Sequence, residues 1–509
     1  MYSIVTTAIL NGIEGFFVQV EADVSDGLPV FDMVGFLAAE VRESKERVRT
    51  ALKNCGFHLP AKRITVNLSP ANVRKVGNGF DLPITVAILG ALGIVEDRLL
   101  DRLLVIGELG LNGDVLPIDG MLSIVCKAKE EGFNRCMIPV DNYSEAMLVQ
   151  GLELIPVSNL KNCLEYFHGN IIPTTPEIKN KNMAGHDGMI PDFADVNGQP
   201  MLRRACEISV SGMHHLLMIG PPGAGKSMVA KRIPGILPPM EFDEQMEVSK
   251  IYSACGMMRK KGTLIEERPF RAPHHTISMQ GLAGGGVYPK PGEISLAHRG
   301  VLFLDELPEF HKTTLEVLRQ PLEDGIITIS RVSSSVCFPS KVLLVCAMNP
   351  CKCGFFPDMN RCRCSKTAIR QYLSRISQPL LDRIDICAEA KQVGFDDLVC
   401  SQNNESSDRI RKRVLRAHEL QKERFAGEAW YFNSQIPTSA MEKYCGLGSS
   451  EKQFMAKIFE KLDLSARSYH KILRVARTIA DLDGEEQITK RHLIEAVSYR
   501  SLDKKYWEG

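Results

Sequence analysis

The chain has 509 residues, 44% of them apolar and 24% charged, with a net charge of +1 at pH 7. That length holds about two to four domains, each large enough for its own core. The balanced charge excludes a globally basic nucleic-acid binder and confines any such contact to a local patch. The longest apolar run, Leu82 to Val95, has 14 residues between Asp81 and Glu96, too short to cross a bilayer and suited to a core helix. No membrane partner is expected. The start, Met1-Tyr2-Ser3-Ile4-Val5, lacks a signal-peptide pattern, and most of the fifteen cysteines stand in apolar surroundings as reduced thiols do; both point to the cytoplasm.

In chain order, residues 1–168 alternate β-rich and helical stretches. Phe16 to Ala22 and Ile64 to Leu68 read as strands, and Ala38 to Asn54 as an amphipathic helix with Val41, Val48 and Leu52 on one face. Lys62, Arg63, Arg74 and Lys75 are either phosphate contacts or a solvated edge. Residues 169–195 fall in a stretch rich in Pro, Asn, Gly and Thr and read as a linker. From 196 to 395, strands and helices alternate, which predicts a parallel sheet with helices on both faces. The breaker-rich run Gln402 to Ser407 then precedes a helical segment, 408–509, with Asp408 and Thr489 as N-caps.

The second unit carries the most specific signal. Gly220-Pro221-Pro222-Gly223-Ala224-Gly225-Lys226-Ser227 fits Gly-x-x-x-x-Gly-Lys-Ser/Thr, between the apolar run Leu216 to Ile219 and the helix-compatible run Met228 to Arg232. Such a loop closes its backbone N–H groups around phosphate oxygens; Lys226 would reach the β- and γ-phosphates and Ser227 would ligate Mg²⁺. A second apolar run, Val301 to Leu304, ends in Asp305 and Glu306. Strand ends are where ligands sit in open α/β sheets, so Asp305 would complete the Mg²⁺ shell and Glu306 would act as general base on the attacking water. A third run, Val342 to Ala347, leads to Asn349, which either senses the γ-phosphate or forms a turn before Pro350. Arg383, between Asp382 and Asp385, is either an ion-pair partner or an arginine finger. Arg467 and Arg474 lie seven apart and share a helix face from which either can lean over the nucleotide.

Four cysteines, Cys351, Cys353, Cys362 and Cys364, form two Cys-x-Cys pairs within fourteen residues. They fit a tetrahedral zinc site or, alternatively, free thiols in a loop. No acid stands between Arg361 and Gln378, while Arg361, Arg363, Lys366, Arg370 and Arg375 do, giving a basic run for nucleic acid, a partner subunit or solvent.

Together with Leu304 to Phe310, Ala347 to Cys351, Leu380 to Arg383, Arg268 to Thr276 and Pro289 to His298, these motifs resemble the YifB/ComM family of magnesium-chelatase-like AAA+ ATPases over nearly the whole chain. The resemblance implies an α/β fold, an AAA+ P-loop core with a C-terminal helical lid. It implies a homo-hexamer with ATP at subunit interfaces, Arg383 as the finger, Arg467 as the lid sensor and Gln199 in the segment beside the adenine. The function it implies is an ATP-driven motor on single-stranded or branched DNA, a branch-migration helicase of recombination; the alternative is a chelatase-like or chaperone motor that remodels a protein. In related ring helicases two insertions face the pore. Here the glycine-rich 276–292, expected to be a mobile loop, and a hairpin over Ile326 to Pro339 occupy those places, with Lys290 and Arg331 as DNA contacts or ordinary surface residues.

Gly107 to Gly120 and Arg74 to Pro83 resemble the C-terminal proteolytic domain of Lon, an α+β fold. The nucleophile position falls at or beside Gly79, and after Gly120 the first lysine is Lys127. Neither half of a Ser-Lys dyad is present, so this unit is expected to be a catalytically dead structural or DNA-binding domain.

Overall fold

A computed structural model describes residues 1–169, 191–258, 262–331, 334–394 and 404–508. Most of the stretch read as a linker, and the first part of the Gln402 run, lie outside these residues. Residues 191–195 are held firmly: Phe193 is fully buried, and Asp195 pairs with Arg232 at 2.9 Å. A burying aromatic, not visible as a pattern among the surrounding prolines, makes this end part of the core of the second unit rather than a tether.

The first unit is built on a seven-stranded mixed sheet. Its spatial order is Phe31–Val34, Arg63–Ser69, Glu14–Ser25, Tyr2–Asn11, Leu103–Val105, Arg135–Pro139, Glu153–Val157. The Tyr2–Asn11 and Glu14–Ser25 strands form an antiparallel ribbon, and the last three strands run parallel to Tyr2–Asn11 or to one another. Ten of the eleven residues of helix Asp81–Ala91 are buried, as expected of a helix apolar on all sides. The predicted Ala38–Asn54 helix is two pieces, Ala39–Arg42 and Ser44–Asn54, broken at Glu43; Val41, Val48 and Leu52 are all buried.

Lys75 is not on a solvated edge. It is fully buried and donates to the Pro70 carbonyl, while Lys62 and Arg63 pair with Asp26 and Asp32. Lys127 lies on the surface against Glu131 at 2.8 Å, and the buried Asp81 takes a two-pronged bond from Arg47 at 2.7 and 3.0 Å. Of these charged groups Lys75 and Asp81 are buried in the fold, while Lys62, Arg63 and Lys127 pair nearer the surface. This unit docks on the next through Gly120 N–H, which donates to Ser253 O at 2.9 Å, and Leu122 N–H, which donates to Ser253 Oγ at 3.3 Å.

The second unit is a five-stranded sheet, all parallel, in the order Phe270–Arg271, Val301–Leu304, Leu343–Met348, Leu216–Ile219, Ile386–Glu389. The three central strands are buried throughout, which is why they read as unbroken apolar runs rather than alternating ones. Segment 276–292, expected as a mobile loop, carries regular structure. It holds helix Met279–Ala283, with Leu282 and Ala283 buried, and a small hairpin, Gly284–Gly285 with Lys290–Pro291. A Cβ on Gly292 would fall 2.3 Å from Gly284 N, so these glycines permit close backbone approach rather than freedom. The hairpin Ile326–Arg331 with Ser334–Pro339 is present as expected, but the Arg331 side chain lies outside what is described. Lys290 is exposed, 3.9 Å from Asp119 of the first unit.

The C-terminal helices, Ser407–Arg424, Ser449–Lys461, Ala466–Asp483 and Lys490–Asp503, share one core with helix Pro200–Gly212 and the parallel sheet. The first begins at cap Ser406, which leaves Asp408 in the first turn, paired with Lys412 at 2.9 Å. No described helix is long and apolar enough to cross a membrane.

Candidate nucleotide site

The parallel order places three neighbouring strand ends at one edge. Leu216–Ile219 delivers the glycine-rich loop, Leu343–Met348 delivers Asn349, and Val301–Leu304 delivers Asp305 and Glu306. Residues 123 positions apart thereby meet: the Lys226 ammonium donates to Asn349 Oδ1 at 3.0 Å, and to the Gly220 and Pro221 carbonyls at 2.8 and 2.9 Å. Ser227 Oγ–H donates to Asp305 Oδ2 at 2.5 Å. A hydroxyl and a carboxylate in direct contact are a hard-oxygen donor set that suits Mg²⁺.

Pro222 to Met228, Asp305, Glu306, Met348 and Asn349 line a cleft of about 370 Å³. Gly223 and Gly225 have φ of +75° and +81°, and nothing lies within 4 Å of where a Cβ would stand on either. The loop is an open cradle of backbone rather than a filled turn, as an anion needs. Burial draws the Lys226 ammonium down to about 8, opposed by the Asp305 carboxylate. An anion entering the cradle would favour the charged form and raise that value again.

Glu306 takes a left-handed conformation, φ +52°, at the strand's end, and its backbone N–H donates to Asp305 Oδ1 at 2.9 Å. A non-glycine residue held there marks a constrained site. Its carboxylate is exposed to the cleft, and Oε2 lies 3.5 Å from His275 Nδ1. His275 stacks on His274 at 4.1 Å between centroids. The sequence offered His275 only as part of the Arg268–Thr276 signature; nothing in its spacing pointed to Glu306. Within that signature Arg268 is buried against Glu244 at 2.7 Å, and Arg271 grips Glu293 at 2.6 and 2.7 Å, so both are structural.

Gln199 sits behind the loop. Its amide donates to the Ala224 carbonyl at 3.1 Å and to Lys391 O at 2.5 Å, tying the loop to the segment after the last sheet strand. Arg383 and Arg467 are not in this cleft. They line a separate cavity of about 420 Å³ with Arg474, Lys471, Arg268 and Glu323. Arg383 pairs there with Glu323 and not with its sequence neighbours Asp382 and Asp385. Arg467 and Arg474 thus line that cavity and not their own chain's phosphate cleft.

The four cysteines of the 351–364 loop converge, with all four Sγ atoms within 4.8 Å of one another and none in a disulfide. Cys351 and Cys362 are buried; Cys353 and Cys364 are half-buried.

Comparison with known proteins agrees with this geometry. Residues 192–398 match the family "Magnesium chelatase, subunit ChlI", residues 20–142 "Subunit ChlI of Mg-chelatase", and residues 404–500 "Magnesium chelatase, subunit ChlI C-terminal". The chain is 40% identical to competence protein ComM of Haemophilus influenzae, covering 98% of this chain and 97% of that one. It is 38% identical to YifB of Escherichia coli, over 99% and 97%. A local similarity, 28% over 141 residues, reaches Lon protease 2 of Bacillus subtilis, covering 26% of this chain and 25% of that one. With the phosphate cradle, its acidic partner strand and full-length relatives in accord, the chain belongs to the ComM/YifB family of magnesium-chelatase-like AAA+ ATPases.

Proposed function

We propose that this protein is an ATP-hydrolysing motor that works as a homo-hexameric ring on DNA, as a branch-migration helicase in recombination. The observation that carries the ring is the position of Arg383 and Arg467. Both lie in a cavity away from their own chain's phosphate cradle, so a completed site needs arginines from a neighbouring subunit. The DNA load rests on the near full-length likeness to a protein named for competence. In this reading the chain works in the cytoplasm.

Bound Mg²⁺ would neutralise charge on the β- and γ-phosphates, held by Ser227 and Asp305. Lys226 and the loop amides bind the phosphates, and Asn349, already bonded to Lys226, positions the γ-phosphate end. Glu306 accepts the proton of the attacking water and His275 orients its carboxylate. Gln199 holds the loop on the adenine side. Residues 1–168 serve as a protease-derived platform without hydrolytic chemistry, 196–395 as the motor and 408–509 as its lid.

A second reading, a chelatase-like motor that remodels a protein partner, is favoured by the three chelatase-subunit matches. ATPase rates with and without single-stranded and branched DNA separate the two. Clear stimulation, lost in Lys226→Ala and Glu306→Gln, supports the DNA motor. An unchanged rate, with no mobility shift on DNA at low salt, refutes it.

A further inference from the structure

Cys351 and Cys353 have Sγ atoms 3.3 Å apart; Cys362 Sγ lies 3.8 Å from the first and 3.6 Å from the second. A tetrahedron with Zn–S bonds of about 2.3 Å has edges of about 3.8 Å. Three of the thiols stand 3.3 to 3.8 Å apart, near those edges, and Cys364 Sγ lies within 4.8 Å of all three; two of the four are buried and none is in a disulfide. A tetrathiolate zinc centre carries a net charge of about −2. Arg361, Arg363, Lys366 and Arg370 supply the opposite charge along the same loop and the helix that follows it.

The loop also touches the nucleotide cradle. It leaves the sheet directly after Asn349, and at Gly354, φ +83°, a Cβ would stand 2.3 Å from Pro222 Cδ of the phosphate loop. On its other side Phe356 meets Tyr506 of the C-terminal segment at 6.1 Å between centroids. The backbone of 351–365 has no helix or strand of its own, so turns and side-chain contacts set its shape.

We propose that Cys351, Cys353, Cys362 and Cys364 bind one Zn²⁺, and that the metal-locked loop braces Pro222 and Asn349 so that the cradle is pre-formed. The first half stands on the thiol geometry alone; the second rests on the ATP-binding reading of the cleft.

Elemental analysis of the full-length chain purified without chelator tests the first half, together with absorption spectra after Co²⁺ exchange. One zinc per chain, and a thiolate-to-cobalt charge-transfer band with tetrahedral d–d bands, are expected. Substoichiometric metal after growth in added zinc, with no cobalt band, overturns it. For the second half, Gly354→Ala should keep its zinc yet bind a non-hydrolysable ATP analogue about tenfold more weakly, since the added methyl displaces Pro222. Cys362→Ser should lose both zinc and affinity; if it fails to fold, Gly354→Ala and the cobalt spectrum still decide. Unchanged analogue affinity in zinc-loaded Gly354→Ala refutes the brace. A parent chain that binds no analogue refutes the nucleotide reading and leaves the zinc result standing.

Discussion

Arg383 and Arg467 hold the same carboxylate oxygen: Glu323 Oε1 lies 2.7 Å from a guanidinium nitrogen of the first and 2.9 Å from one of the second. One arginine follows helix Gln378–Leu381, and the other begins the long helix Ala466–Asp483. In the proposed ring, exchange of Glu323 for a neighbour's γ-phosphate would couple both arginines to nucleotide in the next subunit.

Arg383→Ala should therefore keep ATP binding and lose turnover by about a thousandfold. Mixing Arg383→Ala with Glu306→Gln chains should restore part of the rate, because one of the shared sites in a mixed ring then has both groups. Steady-state ATPase assays on mixtures check this. Mixtures no more active than either variant alone would argue against the shared site.

Glu306→Gln should bind ATP normally while kcat falls about 10²- to 10⁴-fold, as loss of a general base does. His275→Ala should lower kcat less, about tenfold, without raising KM, because His275 touches the base and does not line the cradle. A rise in KM with kcat unchanged would assign His275 to binding.

Lys226 predicts a pH dependence. Its pKa in the empty cradle is about 8, and a bound triphosphate stabilises the ammonium and raises that value. The bound state then holds more protons, so affinity is full below pH 8 and falls as pH rises through that region. Calorimetric titration of an ATP analogue at pH 8.5, in two buffers of different ionisation enthalpy, should show proton uptake. Lys226→Arg should abolish it, since guanidinium stays charged.

Asp385 anchors the segment that carries Arg383. Its Oδ1 lies 3.0 Å from Lys471 Nζ, and its Oδ2 accepts from His215 N–H at 3.3 Å; Asp385 and Lys471 are both buried. Burial opposes the charge, but Lys471 and the His214 and His215 rings outweigh it and hold the carboxyl well below its usual range. A carboxyl lowered on folding contributes stability above its unfolded pKa of about 4, lost as pH falls through the folded value. Asp385→Ala should cost about 3 to 5 kcal/mol at pH 7, because it strands the buried Lys471. Thermal melts at pH 7 and pH 3 check both: the gap between parent and variant should shrink in acid.

The phosphate loop, Asp305 and Glu306 were legible in the sequence because each sits at the end of a four-residue run buried on both faces, and such runs stay apolar throughout. The convergence of the four cysteines was legible for a related reason: the two Cys-x-Cys pairs lie within fourteen residues of one another. Where glycines cluster, composition alone misleads. In 276–292 they read as mobility, yet Gly284 and Gly292 are there because two backbones nearly touch. Lys75 likewise read as a surface charge, and only the fold shows it buried on Pro70.

By itself, the sequence determined the family and the strand ends that bear Lys226, Asp305, Glu306 and Asn349, since these depend on which residue types stand at short, fixed spacings. Only the tertiary structure decided that Lys226 meets Asn349, that His275 reaches Glu306, that Gly354 lies against Pro222, and that Arg383 and Arg467 share Glu323 far from their own cradle. Those pairings are set by strand order and helix docking, which bring together side chains whose separation along the chain carries no periodic signal.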